Sequence, residues 1–321
     1  MENKKILVLG GAGYIGAHVV SELLKKQYKV LVYDNMSTGQ KENLFDKAEF
    51  INADILDVSA LEKAMDGVDA VIFFAGKKAV GESMLNPELY ARNNLVGAVN
   101  VLNTMCAKGI KNIIFSSSAA VYGIPQYVPV DEKHPLNPIN FYGFTKLETE
   151  RLLEWYDKLK GIKYAALRYF NAAGYDPDGR VKGREQNPQN LLPIIAEVAD
   201  GKRKCLQVFG TDYDTPDGTC LRDYIHVNDL ATAHVLALEA LLDGHDSMTL
   251  NLGTGKGVSV KEIVAAAEKF LGRKLPVEYA PRRPGDPAIL YAKADRAKQV
   301  LGWQPKFVNV DEVVSSFLKK H

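Results

Sequence analysis

The stretch Ile6-Leu-Val-Leu-Gly-Gly-Ala-Gly-Tyr-Ile-Gly16 decides the fold class of this chain. It opens with a short apolar run, which is typical of a strand buried on both faces of a parallel sheet. Glycines at positions 10, 13 and 16 follow, and Ile15, Val19 and Leu23 then lie on one stripe of an amphipathic helix. Because such glycines let a pyrophosphate approach the unpaired N–H groups at a helix N-terminus, the stretch predicts a dinucleotide site.

Asp34 follows the next predicted strand, Lys29 to Tyr33. A carboxylate there can accept hydrogen bonds from an adenosine ribose and would repel a 2′-phosphate, so we predict NAD and not NADP. Asp side chains also begin turns, and an alternative is that Asp34 only starts the turn Asp34-Asn-Met-Ser-Thr-Gly39.

Strands and helices continue to alternate along the first half of the chain. Strands are predicted near 49–52, 70–74 and 112–116, and helices from 59, near 93–107 and near 141–160. This alternation predicts an α/β fold with a Rossmann-type, doubly wound parallel sheet. Ser59 with Glu62, and Ser259 with Glu262, match the capping-box pattern that marks a helix start.

The sequence becomes loop-rich after Asn171, which predicts a second, smaller domain. We place an NAD-binding domain at residues 1–171 and a substrate-binding domain at 172–321, with a helix near 191–199. The segment Asn251-Leu-Gly-Thr-Gly255 resembles a strand end. We therefore expect residues 221–254 to return to the first domain, so that the two domains interleave in sequence.

Composition indicates an enzyme of small molecules. The 321 residues carry 40 Lys plus Arg against 39 Asp plus Glu, without a basic patch, so nucleic acid is a poor candidate partner. Cys106, Cys205 and Cys220 form no metal-ligand pattern, and we predict free thiols and no metal. No apolar run approaches the ~20 residues of a membrane helix, and the short apolar run near the N-terminus does not suit a signal peptide, so we expect a cytoplasmic protein without a membrane partner.

Tyr142 and Lys146 lie four residues apart, so on a helix their side chains share one face. A close ammonium lowers the pKa of a phenol, so Lys146 could prepare Tyr142 for proton transfer. The spacing alone is common on helix surfaces, where both residues would only be solvated.

Several segments together resemble the extended short-chain dehydrogenase/reductase family, over nearly the whole chain. Within it, Ala79-Val-Gly-Glu-Ser83 is more particular to its epimerases. The segments are Gly10-Gly-Ala-Gly-Tyr-Ile-Gly16, Asp34-Asn35, Phe74-Ala-Gly-Lys-Lys-Ala-Val-Gly-Glu-Ser83, Ser116-Ser-Ser-Ala-Ala-Val-Tyr-Gly123, Tyr142 with Lys146, Arg168-Tyr-Phe-Asn171 and Arg222-Asp-Tyr-Ile-His-Val-Asn-Asp229.

The resemblance implies NAD-dependent interconversion of UDP-glucose and UDP-galactose. In that reaction C4 is oxidised to a 4-keto sugar, which turns over and takes the hydride back on its other face. Catalytic roles would fall to Ser118, Tyr142 and Lys146, with Tyr142 as the base and NAD as a tightly bound cofactor. Alternatives are an epimerase of another UDP-sugar, UDP-glucuronate or UDP-arabinose, and a non-catalytic NAD-binding regulator.

Ala119 and Ala120 separate this chain from sister activities that also begin with C4 oxidation. Sugar 4,6-dehydratases carry an acidic pair after the central hydroxyl residue, and UDP-glucuronate decarboxylases typically carry a Glu before the Val-Tyr-Gly phrase. The alanines here leave oxidation and return, which is epimerisation.

The resemblance also assigns two binding sets. The NAD set comprises Gly10, Gly13, Tyr14, Ile15, Gly16, Asp34, Asn35, Asp54, Ile55, Phe74, Ala75, Gly76, Lys78, Asn93, Ser116, Tyr142, Lys146 and Tyr169. The UDP-hexose set comprises Lys78, Ser118, Tyr142, Asn171, Asn190, Leu191, Gln207, Phe209, Arg222, Arg283, Asp286 and Leu290.

Two finer expectations follow from the same resemblance. Leu290 falls where some epimerases carry a Tyr that narrows the sugar pocket, which suggests that UDP-GlcNAc and UDP-GalNAc are also substrates. The helices near 93–107 and 141–160 resemble those that pair in a dimer bundle, and Leu152, Trp155, Tyr156 and Leu159 offer apolar surface. We therefore expect a homodimer, although the same side chains could instead be core.

Overall fold

A computed structural model of the chain describes residues 4–185, 188–283 and 286–319. Its strands are β1 Lys5–Leu9, β2 Lys29–Tyr33, β3 Glu49–Ile51, β4 Ala70–Phe73, β5 Asn112–Ser116, β6 Lys163–Tyr169, β7 Asn171–Ala173, β8 Leu206–Phe209, β9 Leu221–Arg222, β10 Tyr224–His226, β11 Met248–Leu252, β12 Val258–Ser259, β13 Val277–Ala280 and β14 Ile289–Leu290. Its helices are α1 Tyr14–Lys25, α2 Val58–Ala64, α3 Val80–Leu85, α4 Pro87–Tyr90, α5 Gly97–Lys108, α6 Phe141–Lys160, α7 Leu191–Ala199, α8 Val227–Leu242, α9 Val260–Leu271, α10 Asp295–Leu301 and α11 Val310–Leu318.

The central sheet has seven parallel strands in the order β11-β6-β5-β4-β1-β2-β3. The chain runs outward from β1 to β3 and then restarts on the other side of β1 with β4. Ligands of such sheets lie at the carboxyl ends of the strands where the order reverses. The predicted Rossmann-type fold is confirmed, and the reversal point lies beside the glycine turn.

Helices cover both faces of this sheet. Alternate residues of β1 enter different cores: Ile6 and Val8 pack with α1 and α8, whereas Leu7 and Leu9 pack with α2 and α5. This is the expected result of a period of two in a strand buried on both sides. The continuous apolar run is therefore explained by two separate helical layers.

A third core lies in the C-terminal half and joins α7, α9 and α11 to small sheets. β8 pairs with β13, β9 pairs with β12 and β14, and β7 pairs with β10. The chain also returns to the central sheet, because β11 pairs with β6 along its whole length. The domain boundaries themselves stay a prediction, and residues 1–3 and 320–321 at their outer ends lie outside the described ranges.

The two predicted capping boxes have different outcomes. The capping box at Ser59 is wrong, since α2 begins at Val58 and its cap is Asp57, whose carboxylate accepts a hydrogen bond from Ala60 N at 3.0 Å. A carboxylate two residues upstream offered the better cap. The box at Ser259 is confirmed, with both reciprocal hydrogen bonds formed. A π-helical turn, Ala91–Val96, precedes α5 within the helix predicted near 93–107.

Candidate active site

The glycine turn between β1 and α1 has no room for side chains at two positions. A Cβ on Gly10, where φ is +82°, would lie 2.8 Å from Ala75 N, and one on Gly16 would lie 2.2 Å from Gly10 O. Gly13 is the N-cap of α1 and supplies no side-chain cap to the helix. A phosphate can therefore approach the first N–H groups of α1, so the turn fits the pyrophosphate of NAD.

The Asp34 side chain stabilises the turn that it begins and can still accept hydrogen bonds from a ligand. One carboxylate oxygen accepts from Met36 N at 2.9 Å, and the other accepts from Ala12 N in the glycine turn at 3.0 Å. Burial raises the pKa of this carboxyl, and the two backbone hydrogen bonds oppose that rise. Since an ionised carboxylate has about four acceptor sites, Asp34 can also accept from a ribose. The turn and the ribose role are thus compatible.

The adjacent loops order other residues of the predicted NAD set. Asn35 Nδ2 donates to an Asp54 carboxylate oxygen at 2.7 Å, and Ile55 is buried next to Gly97. The Tyr14 hydroxyl donates to Gly174 O, just after β7. The phenol is thus already bonded within the chain, and Tyr14 is the first residue of α1.

The loop after β4 is held by a residue that the sequence reasoning missed. Asn94 Oδ1 accepts from Lys77 N at 2.8 Å, and its Nδ2 donates to Lys77 O and to Thr145 Oγ1, both at 3.0 Å. Gly76 in this loop has φ of +150°. The predicted ligand Asn93 lies beside it and donates to Leu89 O at 2.9 Å. Only the fold distinguishes two neighbouring asparagines of one helical segment.

Ser118, Tyr142 and Lys146 come together at the carboxyl end of β5. The Ser118 hydroxyl is close enough to the Tyr142 phenol to affect its ionisation. Lys146 Nζ donates to Ser116 O at 2.8 Å and lies 5.8 Å from the centre of the Tyr142 ring. The predicted helix over 141–160 is confirmed, so both side chains do share one face.

Ser83 connects this group to the Ala79-Val-Gly-Glu-Ser83 segment. Its hydroxyl accepts from Tyr142 N at 3.1 Å and donates to Val80 O at 2.6 Å. The segment thus holds the first turn of α6 and with it the position of the phenol.

Burial raises the pKa of Tyr142, and its interaction with Ser118 opposes that rise. The expectation that Lys146 lowers the phenol pKa is therefore not met in the chain by itself, because burial has the largest effect on this phenol. Burial also lowers the pKa of Lys146 to about 8, against an opposing effect of Glu150. Burial thus disfavours the charged form of both side chains.

Two other predicted residues are already paired. Lys78 forms an ion pair of 2.8 Å with Glu185, which links the loop after β4 to the segment before α7. Ser116 Oγ and Tyr169 OH are hydrogen-bonded to each other, with Ser116 buried and Tyr169 half-buried.

The residues predicted to hold UDP form two groups in the C-terminal half. In one group Arg222 on β9 pairs with the Asp286 carboxylate, and Leu290 on β14 lies beside Arg222 in register. In the other, the Arg283 guanidinium stacks 3.9 Å from the centre of the Phe209 ring. Each arginine thus has a partner that orients it.

The remaining members have simpler positions. Asn190 is the N-cap of α7 and makes no side-chain cap, Leu191 begins the helix, and Gln207 is exposed on β8. Asn171 N donates to Asp223 O at 3.0 Å, next to Arg222.

Leu290 lies between Arg222 and the segment that follows Ser118. It packs against a small cluster that contains Ala119 and Val121. An aliphatic side chain therefore lies beside this segment.

Within residues 4–185, 188–283 and 286–319, no group of His, Cys, Asp and Glu is arranged to hold a metal ion. The same residues include no helix that is both long and apolar enough to cross a membrane.

Comparison with known proteins agrees with this geometry. Residues 6–253 match the family described as "NAD dependent epimerase/dehydratase family". The chain is 46% identical over 316 residues to a UDP-glucose 4-epimerase of Streptococcus mutans, covering 97% of this chain and 95% of that protein.

Solved structures give the same result. A UDP-glucose 4-epimerase of Brucella ovis in complex with NAD has a TM-score of 0.95 at 42% identity, covering 98% of this chain and 97% of that one. A UDP-glucose 4-epimerase of Stenotrophomonas maltophila with bound NAD and formylated UDP-arabinopyranose has a TM-score of 0.94 at 39% identity, with the same coverage.

Proposed function

The chain belongs to the NAD dependent epimerase/dehydratase family, and on that premise we propose that it interconverts UDP-glucose and UDP-galactose through oxidation at C4 of the hexose. The observation that carries the proposal is that Tyr142, Lys146 and Ser118 meet at the carboxyl end of β5, with Lys146 Nζ 5.8 Å from the Tyr142 ring centre and bonded to Ser116 O, in the sheet that bears the glycine turn. Ala119 and Ala120 follow Ser118, so this segment offers no acid for chemistry at C5 or C6.

NAD is the cofactor of this proposal, and it supplies, when bound, the hydride acceptor and donor for C4 together with a positive ring charge. Its pyrophosphate would lie against the N–H groups of residues 13–16, and its adenosine ribose against Asp34. The proposed NAD-binding set is Gly10, Gly13, Tyr14, Ile15, Gly16, Asp34, Asn35, Asp54, Ile55, Phe74, Ala75, Gly76, Lys78, Asn93, Ser116, Tyr142, Lys146 and Tyr169.

Tyr142 would accept the proton of the C4 hydroxyl while Ser118 holds that oxygen by a hydrogen bond. Lys146 stabilises the phenolate by its charge and orients a ribose hydroxyl. When C4 is reduced again, Tyr142 returns the proton to the oxygen. The positive ring of bound NAD would add a second charge next to the phenol and favour its ionised form against the effect of burial.

The UDP part would be held by Asn190, Leu191, Gln207, Phe209, Arg222, Arg283 and Asp286. The sugar would lie next to Ser118, Asn171, Lys78 and Leu290. Firm binding of the UDP part allows this sugar to rotate without leaving the site. Arginine suits this task because its planar fork can bind phosphate with two hydrogen bonds.

The direct experiment is to release and identify the nucleotide of the purified protein, and then to add UDP-galactose and measure UDP-glucose. Tyr142→Phe should retain NAD and lose about 100- to 10,000-fold in turnover, which is the typical contribution of a general base. Tyr156→Phe, on the same helix but bonded to Asn103, is the matched control. Undiminished turnover in Tyr142→Phe would refute its role, and a panel of UDP-sugars would reveal an epimerase of UDP-glucuronate or UDP-arabinose.

Leu290 favours a second pair of substrates, UDP-GlcNAc and UDP-GalNAc, because a leucine wall is smaller than a tyrosine. Leu290→Tyr should remove turnover of the N-acetylated sugars and spare UDP-galactose. Brisk turnover of UDP-galactose with none of UDP-GlcNAc in the unaltered protein would contradict this extension.

A homodimer through α5 and α6 is also part of the proposal. Trp155 and Leu159 on α6 are 59% and 69% exposed, whereas Leu152 and Tyr156 pack into the core, so half of the predicted apolar surface is free for a partner. Trp155→Glu should yield a monomer in light scattering at micromolar concentration. A cytoplasmic location is proposed with it, since Cys106, Cys205 and Cys220 are free thiols.

A further inference from the structure

A buried charged network lies directly behind the catalytic residues. Glu150 on α6 is 3% exposed, and it accepts from Arg168 on β6 through Nε at 3.0 Å and Nη2 at 2.5 Å. The Ser117 hydroxyl donates to the same carboxylate, and Arg168 Nη1 donates to Tyr122 OH at 3.1 Å. Arg168 and Ser117 thus fix the carboxylate in the interior, and Tyr122 fixes its arginine partner.

Glu150 also lies one helical turn after Lys146, on the same face of α6. Lys146 is only 7% exposed and donates to Ser116 O, the residue before Ser117. The ammonium and the carboxylate are therefore held from both sides, by α6 and by the end of β5. Glu150 acts on Lys146 as an opposing charge.

We propose that Glu150 is a positioning residue for the reaction, and that Arg168 and Ser117 hold its carboxylate where it keeps the Lys146 ammonium charged. The inference rests on the proposed function for the importance of that ammonium. Without a negative neighbour, a buried lysine tends to lose its proton, and Tyr142 would then lose the adjacent positive charge.

The other ionisable groups of this network are Arg168 and four tyrosines. Tyr142 lies beside Lys146, and Tyr169 is hydrogen-bonded to Ser116, whose carbonyl accepts from Lys146. Tyr122 and Tyr164 lie near Arg168 and Glu150. Burial raises the pKa of all four phenols, so they stay neutral near pH 8. Glu150 is thus the group of this network whose negative charge favours the Lys146 ammonium.

The test compares Glu150→Gln, which removes the charge, with Glu150→Asp, which keeps the charge and damages the packing. The Lys146 side chain is titrated by NMR in protein with ¹³C-labelled lysine, and its signal is assigned by its loss in Lys146→Arg. We expect a midpoint near 8 in the unaltered protein. Glu150→Gln should lower this midpoint by about one unit, as expected for loss of a close charge, and Glu150→Asp should leave it near the original value.

The alkaline limb of the pH profile of turnover should move to lower pH in Glu150→Gln and stay in place in Glu150→Asp. Glu154→Gln removes a charge from an exposed position of the same helix. It should change neither the Lys146 midpoint nor the alkaline limb of the turnover profile. If Glu150→Gln fails to fold, the double variant Glu150→Gln with Arg168→Gln leaves no unpaired charge, and its midpoint should lie about one unit below that of Arg168→Gln alone, from which it differs only by the Glu150 charge.

An unchanged midpoint in the Gln variants, or an equal shift in Glu150→Asp, would overturn the inference and leave Glu150 a structural role only. The titration does not require turnover. A shifted midpoint in a protein that converts no UDP-hexose would support the inference and contradict the proposed function.

Discussion

The glycine turn after β1 and the β9–β14 edge are both proposed to receive phosphate groups, but they are built differently. The turn uses backbone N–H groups, and its shape depends on the lack of a Cβ at Gly10 and Gly16. The edge uses side chains, and its ion pair joins Arg222 to Asp286, which are 64 residues apart in sequence. A site made of backbone is encoded locally, whereas a site made of side chains needs the fold to assemble it.

Of the variants that test this comparison, Gly16→Ala should have the largest effect. The new Cβ would overlap the Gly10 carbonyl, which cannot move aside because it is backbone. Such overpacking costs about 1–3 kcal/mol, which corresponds to about 5- to 150-fold in NAD retention. The measurement is NAD released per mole of purified protein.

Gly81→Ala is the matched control, because a Cβ there would meet no atom within 4 Å. Equal NAD content in the two variants would show that the turn tolerates side chains and would remove the distinction between the two regions.

Acid should destabilise the packing around α1 and β10, the elements that follow the two regions in sequence. His18 on α1 and His226 before α8 are buried, and burial lowers their pKa values to about 4 and about 3. The unfolded chain binds protons near pH 6.5, so between that pH and the folded pKa it holds more protons, and stability falls as the pH falls. Each imidazole should cost about 2 kcal/mol at pH 5.

Urea unfolding at pH 7 and pH 5 measures this loss. His226→Gln should reduce the difference in unfolding free energy between the two pH values by roughly 2 kcal/mol. A variant that shows the full difference would mean that other groups control the acid sensitivity.

Arg222→Met should act on the side-chain region alone. It removes the guanidinium and leaves Asp286 unpaired, so KM for UDP-galactose should rise about tenfold, as expected for loss of a charged hydrogen bond. Bound NAD should be unchanged. A parallel loss of NAD would show that the two regions are not separate in function.

Arg283→Leu should have the smallest effect of the series. It removes the stacking on Phe209, which is partly exposed to water, and about 1 kcal/mol, or fivefold in KM, is expected. Arg273→Leu, whose guanidinium caps Ala199 O on the far side of α7, is the control and should leave KM unchanged. Identical KM values in both variants would exclude Arg283 from the substrate site.

The sequence by itself determined the central sheet, the glycine turn, the catalytic spacing on α6 and the capped start of α9, because each depends on residues within a few positions of one another. Only the tertiary structure decided which of Asn93 and Asn94 clamps the Lys77 loop, and that Asp57 and not Ser59 begins α2. It also revealed the pairing of Arg222 with Asp286 and of Glu150 with Arg168. These partners come from different elements, and burial, which alone set the direction of the Tyr142 pKa, is a property of the packed chain and not of any segment.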